Sequence, residues 1–333
     1  MKIGRTFLVA MTSASIGAVG GWVAHDKLTS EDTILEAEKA LNQGKLDLAL
    51  RLAQLQIQES GGKHPNAQRI AARSLARQQK WAEAAKAFEQ TTAKSLDDYY
   101  LYARSLHQLH RGGEALAVIA DGLAAYPMDP KLMGLETRAL GMFHRTKEAL
   151  VSAERLANVP GKEVEGLLLA GIIHYEADNY EQAVATFRKA LAISPELEGQ
   201  SEDFPKTTTD FVNEMIAVSL SSSGRKVEAF NYARDAYNMK PNFNRAYQAA
   251  KGAEARNQAD EAYVWVERAL QHEPENVHAR IFRVELLLNR GRVNEAEKSM
   301  EDLSNKLESP PADVKHRVKV VKAQIANAKA KRK

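Results

Sequence analysis

The chain has 333 residues, 44% of them hydrophobic and 27% charged, a balance that buries a sizeable core and excludes a disordered or collagen-like chain. It has no cysteine, which excludes disulfides, thiolate catalysis, cysteine zinc sites and covalent haem attachment. The net charge of +3 is uneven: residues 312–333 hold eight bases against Asp313, so the preceding 311 residues are net −4 and lack the continuous basic surface of a nucleic-acid binder.

The first element has the makings of an envelope signal. Lys2 and Arg5 precede an uncharged run from Phe7 to Ala24. Eighteen helical residues span roughly 27 Å, close to the hydrocarbon thickness of a bilayer. Two readings follow. Trp22 sits where an interfacial aromatic would in an uncleaved anchor, whereas Ala18 and Gly20 would permit signal cleavage after Gly20. The basic side stays inside, so either reading places the bulk of the chain across a bacterial inner membrane, on the periplasmic side. Ser13, Gly17 and Gly21 form a small-residue face that could pair two anchors, or be small residues in a weak signal. Residues 1–28 are assigned to this element.

From residue 29 to 308 the chain repeats itself. An alanine follows an acid or amide at Glu83-Ala84, Glu114-Ala115, Glu148-Ala149, Gln182-Ala183, Glu228-Ala229, Glu261-Ala262 and Glu295-Ala296, with Ala49 as the first member. Successive alanines lie 35, 31, 34, 34, 46, 33 and 34 residues apart. Within the unit at 164–195, Leu167, Ala170, Gly171 and His174 share one face of a first predicted helix, and Ala183, Phe187 and Ala190 one face of a second. Gly171 and Ala183 allow close approach, Phe187 fills the wedge, Glu181 suits the start of the second helix, and Pro195 ends it. On this pattern His174 is a core residue with a bonded ring. Pro127, Pro160, Pro241, Pro274 and Pro310 punctuate other units. Gly44, Gly224 and Gly291 occupy hairpin turns, Asn257 replaces glycine in another, and Gln79 and His144 depart from the pattern.

A 34-residue period with paired helical patterns resembles the tetratricopeptide repeat. The resemblance implies an all-α, right-handed solenoid of about eight helical hairpins, at 30–63, 65–95, 96–127, 130–160, 164–195, 210–241, 243–274 and 277–307. The 46-residue interval marks an insertion at 196–209, read as a surface loop. A stack of hairpins needs a cover over its last unit. Ala312 to Lys329 supplies one, because Val314, Val318, Val321 and Ile325 recur at helical spacing between lysines. The basic tail at 309–333 could instead meet anionic lipid headgroups.

The resemblance also implies that first helices line a concave side, with positions two, five, nine, twelve and thirteen of each unit pointing into it. Transferred onto this chain, those positions give Arg69, Arg73, Arg77, Tyr100, Arg104, His107, Lys131 and Arg138, a basic stripe over units 2–4 suited to carboxylates. The expected partner is an extended acidic peptide or protein C-terminus. The asparagines of the family's carboxylate clamp are missing. The stripe could equally be a solvated helix face paired with neighbouring acids. His107 and His110 lie one turn apart without an accompanying carboxylate motif, and no glycine-rich phosphate loop, HExxH helix or GxSxG elbow occurs. The sequence therefore predicts no enzyme, no metal and no cofactor. It points to a membrane-tethered scaffold for other proteins or, alternatively, to an envelope component whose repeats pack on copies of itself.

Overall fold

The computed structural model describes residues 30–91, 94–193, 209–307 and 309–331. Every element among them is a helix, and sixteen of these form eight antiparallel hairpins. The hairpins are α1 (Ser30–Asn42) with α2 (Leu46–Glu59), α3 (Pro65–Arg77) with α4 (Trp81–Glu89), α5 (Leu96–Gln108) with α6 (Gly112–Ala125), and α7 (Pro130–Met142) with α8 (Thr146–Ala157). They continue with α9 (Glu163–Glu176) and α10 (Tyr180–Ile193), α11 (Thr209–Ser222) and α12 (Lys226–Met239), α13 (Phe243–Ala255) and α14 (Ala259–His272), and α15 (Val277–Asn289) and α16 (Val293–Lys306). The expected signal or anchor at 1–28 and nearly all of the insertion at 196–209 lie outside the described residues, as does Pro195. No described helix is long and apolar enough to cross a membrane.

The alanines that reveal the period are the contact points of the stack. Ala49, Ala84, Ala115, Ala149, Ala183, Ala229, Ala262 and Ala296 are all 0% exposed. A larger side chain there would force the two helices of a hairpin apart. Large residues fill the remaining wedges: Phe88, Phe187 and Phe230 are fully buried, each contributing about 1.5–3 kcal/mol of transfer free energy. Gly171 shows how tight the wedge is, since a Cβ there would sit 2.6 Å from the Phe187 ring.

Two expectations need correction. Gln79 and His144 do not depart from the turn pattern. With His110 and Asp178 they adopt the left-handed conformation (φ 54–61°) that Gly44, Gly224, Asn257 and Gly291 adopt in the other hairpins, because one geometry closes all eight turns. His174 is only half buried, and its Nδ1 meets no hydrogen-bond partner among the described residues. Leu168, Leu169 and Ile173 carry the burial instead of Leu167 and Ala170, since α9 packs on α7, α8 and α10 and is apolar most of the way round.

The residue after each left-handed turn is often an arginine at the next helix's N-cap, paired with the glutamate three positions on. Arg111–Glu114, Arg145–Glu148, Arg225–Glu228 and Arg292–Glu295 repeat this device. In these four units the glutamate of the repeated Glu-Ala dipeptide thus has a partner, and the helix N-terminus favours its charge. The guanidinium holds each of these four carboxyls below its ordinary pKa.

First helices also pack on the next first helix, α1 on α3, α3 on α5, α5 on α7, α7 on α9 and α11 on α13, while second helices show no comparable packing. The array therefore curves with first helices inside. Direct packing of this extent is missing between α13 and α15. Beyond α16, α17 (Ala312–Ala330) lies across both helices of unit 8, burying Val314, Val321 and Ile325 and partly burying Val318. It is the predicted cap, and its Arg317 turns back toward the inner face.

Candidate functional site

The basic stripe divides once its partners are seen. Asp98 opens α5 in a capping box with Ser95, accepting the Ser95 backbone N–H at 2.8 Å. The same carboxylate, fully buried, accepts a bidentate pair from Arg73, with Nε at 2.7 Å and Nη2 at 3.1 Å, and Arg73 Nη2 also donates to Ser95 Oγ at 2.8 Å. Burial alone would raise the Asp98 pKa, but the hydrogen bonds from Arg73 and Ser95 hold it below 3.8. Arg69 Nε approaches the same carboxylate at 3.8 Å, and Arg77 lies 3.6 Å from Asp97 while donating to the Leu41 carbonyl at 3.3 Å. These three arginines therefore tie unit 2 to the start of unit 3, because acids at the N-terminus of α5 face them across the interface.

Tyr100 is 6% exposed, a core side chain more than a groove wall, with Lys131 Nζ 5.8 Å above its ring. Arg104 lies 5.6 Å over the Trp81 ring. His107 and Arg138 do meet, at the edge of an inner-face recess of about 510 Å³ whose apolar wall is Met142, Leu169, Ile172 and Ile173. Burial, and then the nearby Arg138 and His110, push the His107 pKa down. His110 belongs to the hairpin turn, in the left-handed region. No group of three histidine or carboxylate side chains among the described residues could hold a metal ion.

A second recess, of about 560 Å³, was not singled out by sequence. It opens where α13 and α15 stand apart and α17 reaches in. Tyr247 stacks on Phe243 at 5.4 Å and meets Phe282 edge-on at 5.9 Å, giving an aromatic floor. Lys251 Nζ lies 4.6 Å over Tyr247, and Arg317 of α17 grips Glu285 through Nε at 2.9 Å. Burial, then repulsion from Lys226 and Arg317, lower the Lys251 pKa. Burial, then Glu285, raise that of Glu254. Half-buried charges crowded by like charges are the signature of a site that gains from an incoming opposite charge. The signal available was Lys251 and Glu285, at the ninth position of units 7 and 8. Arg317 lies outside the repeats, so periodicity could not find it.

Tetratricopeptide repeat models match residues 34–98, 70–132 and 253–313. A tetratricopeptide repeat protein from Parabacteroides merdae ATCC 43184 is similar over 78% of this chain and 98% of its own, at 16% identity and a TM-score of 0.54. The APC/C hetero-tetramer Cut9–Hcn1 covers 89% of this chain and 56% of the matched one, at 11% identity and TM-score 0.52. Pseudomonas aeruginosa pilF covers 64% and 90%, at 15% identity and TM-score 0.51. No curated protein matches.

Proposed function

Since the chain is a solenoid of tetratricopeptide repeats, a fold that mediates protein–protein interaction and is typically non-enzymatic, we propose that it is a scaffold holding an extended acidic segment or C-terminal carboxylate of a partner protein on its inner face. No reaction is assigned to it. The observation that carries this reading is the pair of inner-face recesses, each edged by a half-buried cation: Arg138, with His107, beside an apolar wall, and Lys251 and Arg317, with the exposed Lys226, over an aromatic floor. Arg69, Arg73 and Arg77 serve the unit interface, so contact with a partner shifts to Arg104, Lys131 and Arg138 in units 3–4 and to the recess of units 7–8. The bound segment contributes carboxylates to the cations and apolar side chains to the walls.

The basic residues before the uncharged run at 7–24 support tethering to the inner membrane with the repeats on the periplasmic side. Fractionation with protease protection tests this placement, which fails if the full chain stays soluble in the cytoplasm.

Binding is tested with a fluorescent Glu-rich peptide bearing a free C-terminal carboxylate, against a Lys-rich control. The acidic probe should bind the full chain, and Arg138→Glu with Lys251→Glu should weaken it at least tenfold. Equal binding of the Lys-rich peptide would reject the acidic-segment reading.

A further inference from the structure

The recess of units 7–8 holds charges of both signs, and they fall into two groups. Arg317 of α17 and Glu285 of α15 answer each other at 2.9 Å. Lys251 and Glu254 do not. They stand one turn apart on α13, half-buried in the lining of the recess, and neither comes within ion-pair distance of the other or of any other described side chain. Lys251 Nζ rests over the face of Tyr247 instead, at 4.6 Å.

Burial disfavours the charged form of each, and charges of its own sign add to the effect: Lys226 and Arg317 act on Lys251, and Glu285 acts on Glu254. A carboxylate brought to Lys251 relieves one side, and an ammonium or guanidinium brought to Glu254 relieves the other. A second carboxylate in place of that cation would meet Glu254 and Glu285 together, so a segment acidic throughout is opposed at this point.

Spacing fixes how one chain supplies both charges. Residues three apart on a helix have Cβ atoms about 5–6 Å apart. In an extended segment the side chains of one face recur at every second residue, about 6.5–7 Å apart. Residues four apart on such a segment stand about 13 Å apart, beyond the span of Lys251 and Glu254. We propose that the partner segment seated in units 7–8 carries an acid and a base two residues apart, the acid against Lys251 and the base against Glu254. It deepens the acidic-segment reading, on which it rests, by setting one base at a defined place in an otherwise acidic chain.

In the fluorescent Glu-rich peptide, changing one central glutamate to lysine leaves glutamates two residues to either side and lowers the net negative charge by two. A recess that only attracts acids should therefore bind the changed peptide more weakly. The full chain should instead bind it about threefold more tightly than the parent, the worth of one partly exposed ion pair, and more tightly than a peptide with methionine at that place. Glu254→Gln should abolish that gain. Weaker or equal binding of the lysine peptide to the unaltered chain overturns the proposal and leaves the acidic-segment reading standing. So does a gain that Glu254→Gln retains, which places the base elsewhere. If no acidic peptide binds at all, the acidic-segment reading itself fails and the proposal falls with it.

Discussion

Two cationic clusters on the inner face use the same residue types for opposite ends. In units 2–3, Arg69 and Arg73 converge on the buried Asp98 and Arg77 on Asp97, so the charges are answered from within the stack. In units 7–8, Lys251 faces Lys226 and Arg317, and its protonated form is disfavoured. Position in the repeat is therefore a poor guide to role. What decides it is whether the neighbouring elements answer the charge with acids, as the start of α5 does, or crowd it with further bases, as Lys226 of α12 and Arg317 of α17 do.

The largest effect that would break this contrast is on stability. Arg73→Ala leaves the Asp98 carboxylate buried without its bidentate partner and should cost about 3 kcal/mol in urea unfolding. Lys251→Met removes a half-buried cation crowded by like charges, and should leave stability unchanged or raise it by about 1 kcal/mol while weakening capture of the acidic probe. Equal losses from both variants would erase the distinction.

The two regions should also titrate in opposite directions. Asp98 is held below 3.8, so its contribution is present above that pH and is lost as pH falls through its lower folded value. Glu254 is raised above 4.5, so its contribution is greatest below 4.5 and is lost as pH rises through its higher folded value. Carboxyl-carbon NMR titration checks both signs. The smallest expected effect lies in the turns. Units 2–4 close their hairpins with Gln79, His110 and His144 in the left-handed region, whereas units 6 and 8 use Gly224 and Gly291. Gln79→Gly should stabilise by about 0.5–1 kcal/mol in thermal unfolding, and Gly224→Gln should destabilise by at least as much.

The hairpins were legible in the sequence because one small residue per unit, from Ala49 to Ala296, must sit at a helix–helix contact of fixed geometry. The cap was legible because Val314, Val321 and Ile325 keep helical spacing. Turn geometry was less so, since the left-handed conformation tolerates Gln79, His110 or Asp178 as well as glycine. Within the stripe, composition showed the arginines but not their acids. Asp98 lies 25 residues from Arg73, and only stacking brings them together. The recess of units 7–8 stayed hidden for the same reason: Arg317 reaches Glu285 from 32 residues away, from a helix with no repeat register.

The most direct test of the inner-face account is site-specific photocrosslinking in the native cell. A photoreactive amino acid is placed in turn at Lys131, at Asn244 in the recess of units 7–8, and at Val151, exposed on the second helix of unit 4. Discrete adducts to another protein from Lys131 and Asn244, and none from Val151, are expected. Adducts from Val151 alone, or equally from all three, would contradict it.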